Sequence, residues 1–184
     1  MCGGRGTRLD CDREKPLVEV GGRPLLDRVA DALAASVIDR TVAVTSPHAP
    51  QTRDHVPLRT IDAPGEGYVA DLQYALERVD PPVLTVAADL PLLTGATVDA
   101  VINSFEGIKM TVCVPAELKR RLGVRIDTTI PGDGPQLAPT GVNVVAGGGD
   151  ERQVVFEDPR LAVNVNYPRD AQVAEALLRS EVVE

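Results

Sequence analysis

Residues 83–93 read Val-Leu-Thr-Val-Ala-Ala-Asp-Leu-Pro-Leu-Leu, a β-branched and apolar run that stops at Asp89. Apolarity without alternation predicts a strand over 83–88 that is covered on both faces, as in the parallel sheets of α/β proteins. Open sheets of that kind place their ligand crevice beyond the carboxyl ends of the strands, which is where Asp89 falls. A carboxylate there suits Mg2+, which takes one or two carboxylates plus phosphate oxygens and water. The competing interpretation of the same residue is an aspartate that opens a turn before Pro91.

Working outward, helix and strand patterns alternate. Residues 24–36 (PLLDRVADALAAS) set Leu25, Val29 and Leu33 on one helical face, and residues 41–46 (TVAVTS) form a short β-branched run. In a repeat of that pattern, Val69, Leu72, Leu76 and Val79 mark a helix beginning near Gly67. Thr94 is placed to N-cap a helix carrying Val98, Val101, Ile102 and Phe105 inward, and residues 110–114 (MTVCV) give the next strand. Residues 116–140 are polar, hold Lys119, Arg120 and Arg121, and are expected as an insertion that shapes a pocket. Strands are expected again at 141–146 (GVNVVA) and 161–165 (LAVNV), with GGGD at 147–150 as a turn. A closing helix from about Pro168 should carry Val173, Leu177 and Leu178 inward. The alternation predicts one α/β domain over 1–184, Rossmann-like and three-layered α/β/α, with a mostly parallel sheet.

With 43% hydrophobic and 25% charged residues the chain has the balance of a folded globular domain. Acidic residues outnumber basic ones 27 to 19, so the net charge of −8 repels polyanions and no nucleic-acid partner is expected. Lysine occurs only at 15, 109 and 119 and aspartate exceeds glutamate, a bias that suits a high-salt cytoplasm. Cys2, Cys11 and Cys113 form no CxxC pair, and with His48 and His55 as the sole histidines a structural zinc site lacks ligands. All three thiols are expected to be buried or inert. The sequence shows no signal-peptide pattern and no apolar run of about 18 residues, so a cytoplasmic protein without membrane attachment is expected. A homodimer stays open.

Residues 3–9 (GGRGTRL) concentrate glycine so that the backbone N–H groups of Gly3, Gly4, Arg5, Gly6 and Thr7 can converge on an anion such as a triphosphate. Arg8 and Lys15 follow, two cations able to neutralise charge as pyrophosphate leaves. The spacing fits neither GxxxxGK[ST] nor GxGxxG. A plain glycine-rich turn explains the loop alone but not its company of Arg8 and Lys15-Pro16. Gly65 and Gly67 in GEGYVADL (65–72) precede a helix whose N-terminal N–H groups can face a ligand, or else form an ordinary helix start. Lys119, Arg120 and Arg121 either steer an acceptor phosphate or make a solvated face.

GGRGTRL followed by EKPLVEVGGRPLLDRV (14–29) resembles the signature of NTP-transferase-fold nucleotidyltransferases. The resemblance implies the nucleotide-diphospho-sugar transferase fold, a glycine loop holding the NTP phosphates, and Arg8 and Lys15 stabilising the transferring α-phosphate. ADLPLL (88–93) is similar to that family's metal-binding Asp-x-Pro segment, and NVNYPRD (164–170) to its late Asn-x-Asn-x-Pro-x-Asp segment. Together they imply a Mg2+ site of Asp89 completed by Asn166, with Asn164 a less secure member, and a catalytic set of Arg8, Lys15 and Asp89. In that fold a buried strand precedes the glycine loop. Here only Met1 and Cys2 do, so the first strand is expected to be truncated, with the natural start upstream.

GEGYVADL, AADLPLL and PTGVNVV (139–145) together resemble one branch, the GTP:adenosylcobinamide-phosphate guanylyltransferases of archaeal cobalamin salvage, through almost the whole chain. This implies transfer of GMP from GTP to adenosylcobinamide phosphate, giving adenosylcobinamide-GDP and pyrophosphate. It also implies Gly65, Gly67 and Gly141 around the nucleotide, with Gly141 and Asn143 facing its reacting end. Molybdopterin guanylyltransferases usually carry Gly-Pro-Leu-Ala-Gly where this chain has Gly65-Glu66-Gly67-Tyr68, a departure that favours the cobinamide branch. Guanylyl transfer to molybdopterin, nucleotidyl transfer to a sugar phosphate, and a catalytically silent NTP-binding domain are the alternatives.

Overall fold

A computed structural model describes residues 1–2, 9, 13–132 and 134–180. After a 3-10 turn (Lys15–Leu17) come a small hairpin of β1 (Glu19–Val20) and β2 (Arg23–Pro24), then α1 (Leu25–Ala34), β3 (Val42–Thr45), α2 (Pro50–His55), β4 (Arg59–Asp62) and α3 (Tyr68–Leu76). The chain continues through β5 (Val83–Val86), α4 (Gly95–Asn103), β6 (Lys109–Pro115), α5 (Ala116–Leu122), β7 (Leu137–Val145), β8 (Glu151–Val155), α6 (Pro159–Ala162) and α7 (Pro168–Arg179).

β3 and β4 pair in parallel, and a second sheet has the order β5-β7-β6-β8. In it β7 runs antiparallel to both β5 and β6, while β8 is parallel to β6. β5, β6 and β8 therefore share one direction and β7 alone is reversed, so the expected α/β sheet is present with one strand turned round. Met1 and Cys2 lie between the two sheets: the Cys2 N–H donates to the Val44 carbonyl at 2.9 Å and the Ala88 N–H to the Met1 carbonyl at 3.1 Å.

Helices cover both sides. Val29 and Ala32 of α1 and Val98 and Val101 of α4 pack on Met110, Val112 and Val114 of β6 and on Val142 and Val144 of β7. Successive strand residues face opposite ways, so Ala43 meets Leu26 of α1 while Val44 packs with Ala75 of α3. Thr94 caps α4 as expected, its hydroxyl accepting from the Thr97 N–H at 3.3 Å. No helix among the described residues is long and apolar enough to cross a membrane.

Four expectations change. The segment 161–165 is not a strand: Asp158 accepts from the Arg160 N–H at 2.8 Å and Pro159 presets the first turn, so α6 takes Leu161 and Ala162, and 163–165 run on outside any helix or strand. Leu161, Val163 and Val165 are still fully buried, which explains their apolar pattern. In α3, Val69 is 67% exposed and Asp71 is turned inward, while Leu72, Leu76 and Val79 line an apolar cavity of about 330 Å3 beside β3 and β5. The stretch 116–140 is only partly an insertion: its ends supply α5 and the first residues of β7, and the described residues between them form no helix or strand beyond an isolated bridge of Ile130 to Leu137. The hairpin β1–β2 and the strands β4 and β8 went unanticipated.

Candidate active site

Asp89 is held at the carboxyl end of β5 by its neighbours on both sides. The Ala87 N–H donates to the Gly141 carbonyl at 3.0 Å, and the Asp89 carbonyl accepts from the Val165 N–H at 2.9 Å. Immediately downstream Leu90 and Leu92 are fully buried in two different apolar clusters. Each such burial contributes about 1.5–3 kcal/mol, so the carboxylate sits on an anchored segment. The bond to Val165 sets Asn164 and Asn166 on either side of it.

The side chains then converge. Asp89 Oδ2 accepts from Lys15 Nζ at 2.6 Å, and the same ammonium donates to Asn166 Oδ1 at 2.6 Å. Asp89 Oδ1 accepts from Asn164 Nδ2 at 2.9 Å. Lys15 reaches this point from the 3-10 turn, which is pinned by buried Pro16 and by Glu14, whose carboxylate accepts from the Gln51 and Thr52 N–H groups at the start of α2. Asn166 is fixed by Asp170, which accepts from the N–H groups of Asn166, Tyr167 and Arg125. The Asn166 amide also donates to Asp127 at 3.2 Å, leaving its oxygen turned toward Lys15.

A cleft of about 510 Å3 opens beside this constellation, lined by Lys15, Asp89, His48, Gly65, Glu66, Gly67, Tyr68 and Asp71 among others. Gly65 and Gly67 are thus on its wall as expected, with Gly67 at φ 115° starting α3. The Gly65 and Glu66 N–H groups are occupied by Asp71 Oδ1, at 2.8 and 3.2 Å, so this turn is braced from within. Burial, and secondly the charge of Asp89, push the Tyr68 phenol above its usual value. Gly141, at φ +83°, backs the site: a Cβ there would lie 2.9 Å from the Ala87 Cβ and 3.7 Å from Asn164 Nδ2. Asn143 lies further along β7, opposite Thr85 and Thr111, its carbonyl accepting from the Thr85 hydroxyl at 3.4 Å, and is not among the residues that line the cleft. Gly3, Gly4, Arg5, Gly6, Thr7 and Arg8 lie outside the described residues.

The oxygens present fit a small hard cation. Asp89 Oδ2 and Asn166 Oδ1 already close on one positive charge, the Lys15 ammonium, and are oxygen donors of the kind Mg2+ takes. Among the described residues no group of three His, Cys, Asp or Glu side chains could cage a metal alone. The set therefore suits an ion that completes its shell with phosphate and water.

Sequence reasoning missed Asp127, gave no role to Asp71 and Asp170 although they lie within GEGYVADL and NVNYPRD, and misjudged Lys119, which is only 5% exposed, whereas Arg120 pairs with Glu117 on the surface. Asp71 and Asp170 each sit in the first turn of a helix, the position where a carboxylate finds free N–H groups, and that was the available signal. Cys2 and Cys113 are buried as expected; Cys11 lies outside the described residues.

A lysine, an aspartate and an asparagine gathered at a strand's carboxyl end in an α/β sheet make a site suited to phosphate and a divalent cation, and the class of protein follows from comparison with known ones: it is a nucleotidyltransferase. The chain belongs to the family of the MobA-like NTP transferase domain, whose model matches residues 1–129. Over 198 aligned residues it is 29% identical to the adenosylcobinamide-phosphate guanylyltransferase of Methanocaldococcus jannaschii, covering 98% of this chain and 96% of that one. It is 34% identical over 117 residues to a Thermococcus kodakarensis protein named probable molybdenum cofactor guanylyltransferase, covering 62% of this chain and 56% of the other. The fold matches that of 4-diphosphocytidyl-2C-methyl-D-erythritol synthase from Anaerococcus prevotii with a TM-score of 0.67 at 14% identity, over 97% and 93% of the two chains.

Proposed function

We propose that this enzyme transfers GMP from GTP to adenosylcobinamide phosphate, releasing pyrophosphate. The observation that carries the chemistry is the meeting of Lys15, Asp89 and Asn166 beside the cleft walled by Gly65 and Gly67. The choice of acceptor is supported by similarity to the M. jannaschii guanylyltransferase along nearly the full length of both chains, and by Gly65-Glu66-Gly67-Tyr68 in place of the loop usual in molybdopterin enzymes.

An oxygen of the acceptor phosphate attacks the α-phosphorus of GTP. A new P–O–P bond forms, the bond from the α-phosphorus to the α–β bridging oxygen breaks, and its electrons leave with pyrophosphate. A phosphate monoester with a second pKa near 6 is largely ionised at neutral pH, so no general base is required. Catalysis is then positioning and charge neutralisation. Lys15 can turn from Asp89 and Asn166 to a phosphate oxygen while both of its former partners stay fixed by other bonds. Asp89 and Asn166 would hold Mg2+, which supplies charge stabilisation at the phosphate oxygens. In this reading the glycine loop of Gly3, Gly4, Arg5, Gly6 and Thr7 cradles the polyphosphate, Arg8 pairs with it, and Gly141 keeps the back wall close.

Incubation with α-labelled GTP, Mg2+ and each acceptor tests the reading. Pyrophosphate release and a labelled product are expected with adenosylcobinamide phosphate. Turnover with molybdopterin or a sugar phosphate instead reassigns the acceptor. Bound GTP without pyrophosphate release with any acceptor makes the chain a silent binding domain.

A further inference from the structure

Lys119 is buried on α5, although it stands first in a run of three cations that would ordinarily be solvated. Its Nζ donates to Asn164 Oδ1 at 2.9 Å. The other side of that amide is fully used: Nδ2 donates to Asp89 Oδ1 at 2.9 Å and to the Thr140 carbonyl at 2.8 Å. Turning the amide over would bring its oxygen against a carboxylate and a carbonyl and its N–H groups against an ammonium, so three partners fix one orientation. Lys119 is the partner that addresses the oxygen. Burial lowers its pKa, opposed by the charges of Asp89, Asp170 and Asp127, which places this cation in the field of the site without lining the cleft.

We infer that Lys119 is a positioning residue for nucleotidyl transfer: acting through the Asn164 amide, it sets the rotation of the Asp89 carboxylate, committing Oδ1 to Asn164 and presenting Oδ2 to Lys15 and the metal. This rests on the reading of Asp89 as a metal ligand. A lysine buried only to fill space would support the fold but would not act through Asn164. A positioning lysine leaves GTP binding intact and degrades the alignment of the reacting groups. Its charge also opposes a second cation at Asp89, so its removal should strengthen metal binding even as turnover falls.

Full-length Lys119→Met, Lys119→Arg, Asn164→Ala and the double variant Lys119→Met/Asn164→Ala are compared in two measurements. One is Mn2+ binding followed by electron paramagnetic resonance; the other is pyrophosphate release with the acceptor that supports it. For Lys119→Met the expected result is severalfold tighter Mn2+ binding, a kcat reduced about tenfold or more, and a KM for GTP within about twofold of the parent, as for a lost alignment worth one decade. Lys119→Arg, which keeps charge and donors, should recover much of the kcat. Lys119→Met should cost no further kcat once Asn164 is alanine. Parental kcat in Lys119→Met, equal losses with and without Asn164, or weaker Mn2+ binding accompanied by a lowered melting point each overturns the inference. Should Lys119→Met not fold, Asn164→Ala alone decides, since parental kcat in that variant overturns it equally. Asp89→Asn separates the two levels: unchanged Mn2+ binding there sinks the metal reading itself, whereas Mn2+ lost there with Lys119→Met at parental kcat sinks this inference alone.

Discussion

The Lys15 ammonium stands 2.6 Å from Asp89 Oδ2 with 19% of the lysine side chain and 13% of the aspartate side chain exposed. The pair is largely withdrawn from water, so its attraction is screened less than that of an exposed ion pair while both charges carry a desolvation cost. Lys15→Met removes the charge proposed to stabilise the leaving phosphates and leaves Asp89 its bond from Asn164. Turnover should fall about 100- to 1000-fold, the cost of losing one oriented transition-state partner, while the melting point drops by only a few degrees. A kcat within about fivefold of the parent would remove Lys15 from the chemistry.

Asp71 braces the Gly65–Glu66 turn through two charge-assisted bonds to backbone N–H groups. Such bonds contribute about 1.5–3 kcal/mol each, and Asp71→Ala frees a turn that walls the cleft. The KM for GTP should rise about tenfold with kcat little changed, and the Gly65 and Glu66 amides should exchange faster with solvent. An unchanged KM would exclude this turn from the nucleotide site.

Gly141→Ala combines two faults. The residue sits at φ +83°, which L side chains rarely adopt, and its Cβ would approach the Ala87 Cβ to 2.9 Å. The expected loss is about 1–3 kcal/mol in chemical denaturation. Ala87→Gly in the same chain should recover the steric share and leave the backbone share. Full recovery by Ala87→Gly, or no loss to begin with, contradicts this account.

Cys113 is buried, and that burial, followed by the Glu151 carboxylate, raises its thiol from 9.0 to about 11. The folded protein therefore holds the proton more tightly than the unfolded chain. This contribution to stability is fully present below about pH 9 and is lost as the pH climbs toward about 11. Urea midpoints at about pH 8 and about pH 10.5 should fall more in the parent than in Cys113→Ala, because only the parent carries this linkage. Equal falls would show that the thiol is not held protonated by the fold.

Local patterns revealed what local forces decide. The run at 83–88 declared β5 and its terminal Asp89, and Thr94 declared the start of α4, because a buried strand and a capped helix are each written in consecutive residues. Asp158-Pro159 is an equally local helix signal, but the fully buried Leu161, Val163 and Val165 imitated a strand, and the cap prevailed. Contacts across the chain were silent. Nothing near Lys119 tells that it meets an amide 45 residues away, and nothing near Lys15 announces that its partners are 74 and 151 residues on. The family signature supplied Lys15, Asp89 and Asn166. It did not supply Asp127, and although Asp71 and Asp170 lie within GEGYVADL and NVNYPRD, nothing in those segments told that they orient backbone N–H groups around the site.

The backbone bond from Val165 to Asp89 fastens the end of one segment to another far along the chain, after β6, β7, β8 and three helices have intervened. What the proposed chemistry requires is that this clasp closes, whatever the length of polypeptide looped between. The bend at 147–150, exposed and remote from the clasp, is accordingly a place where a reporter peptide or a guest domain can be spliced in while the reacting groups keep their spacing.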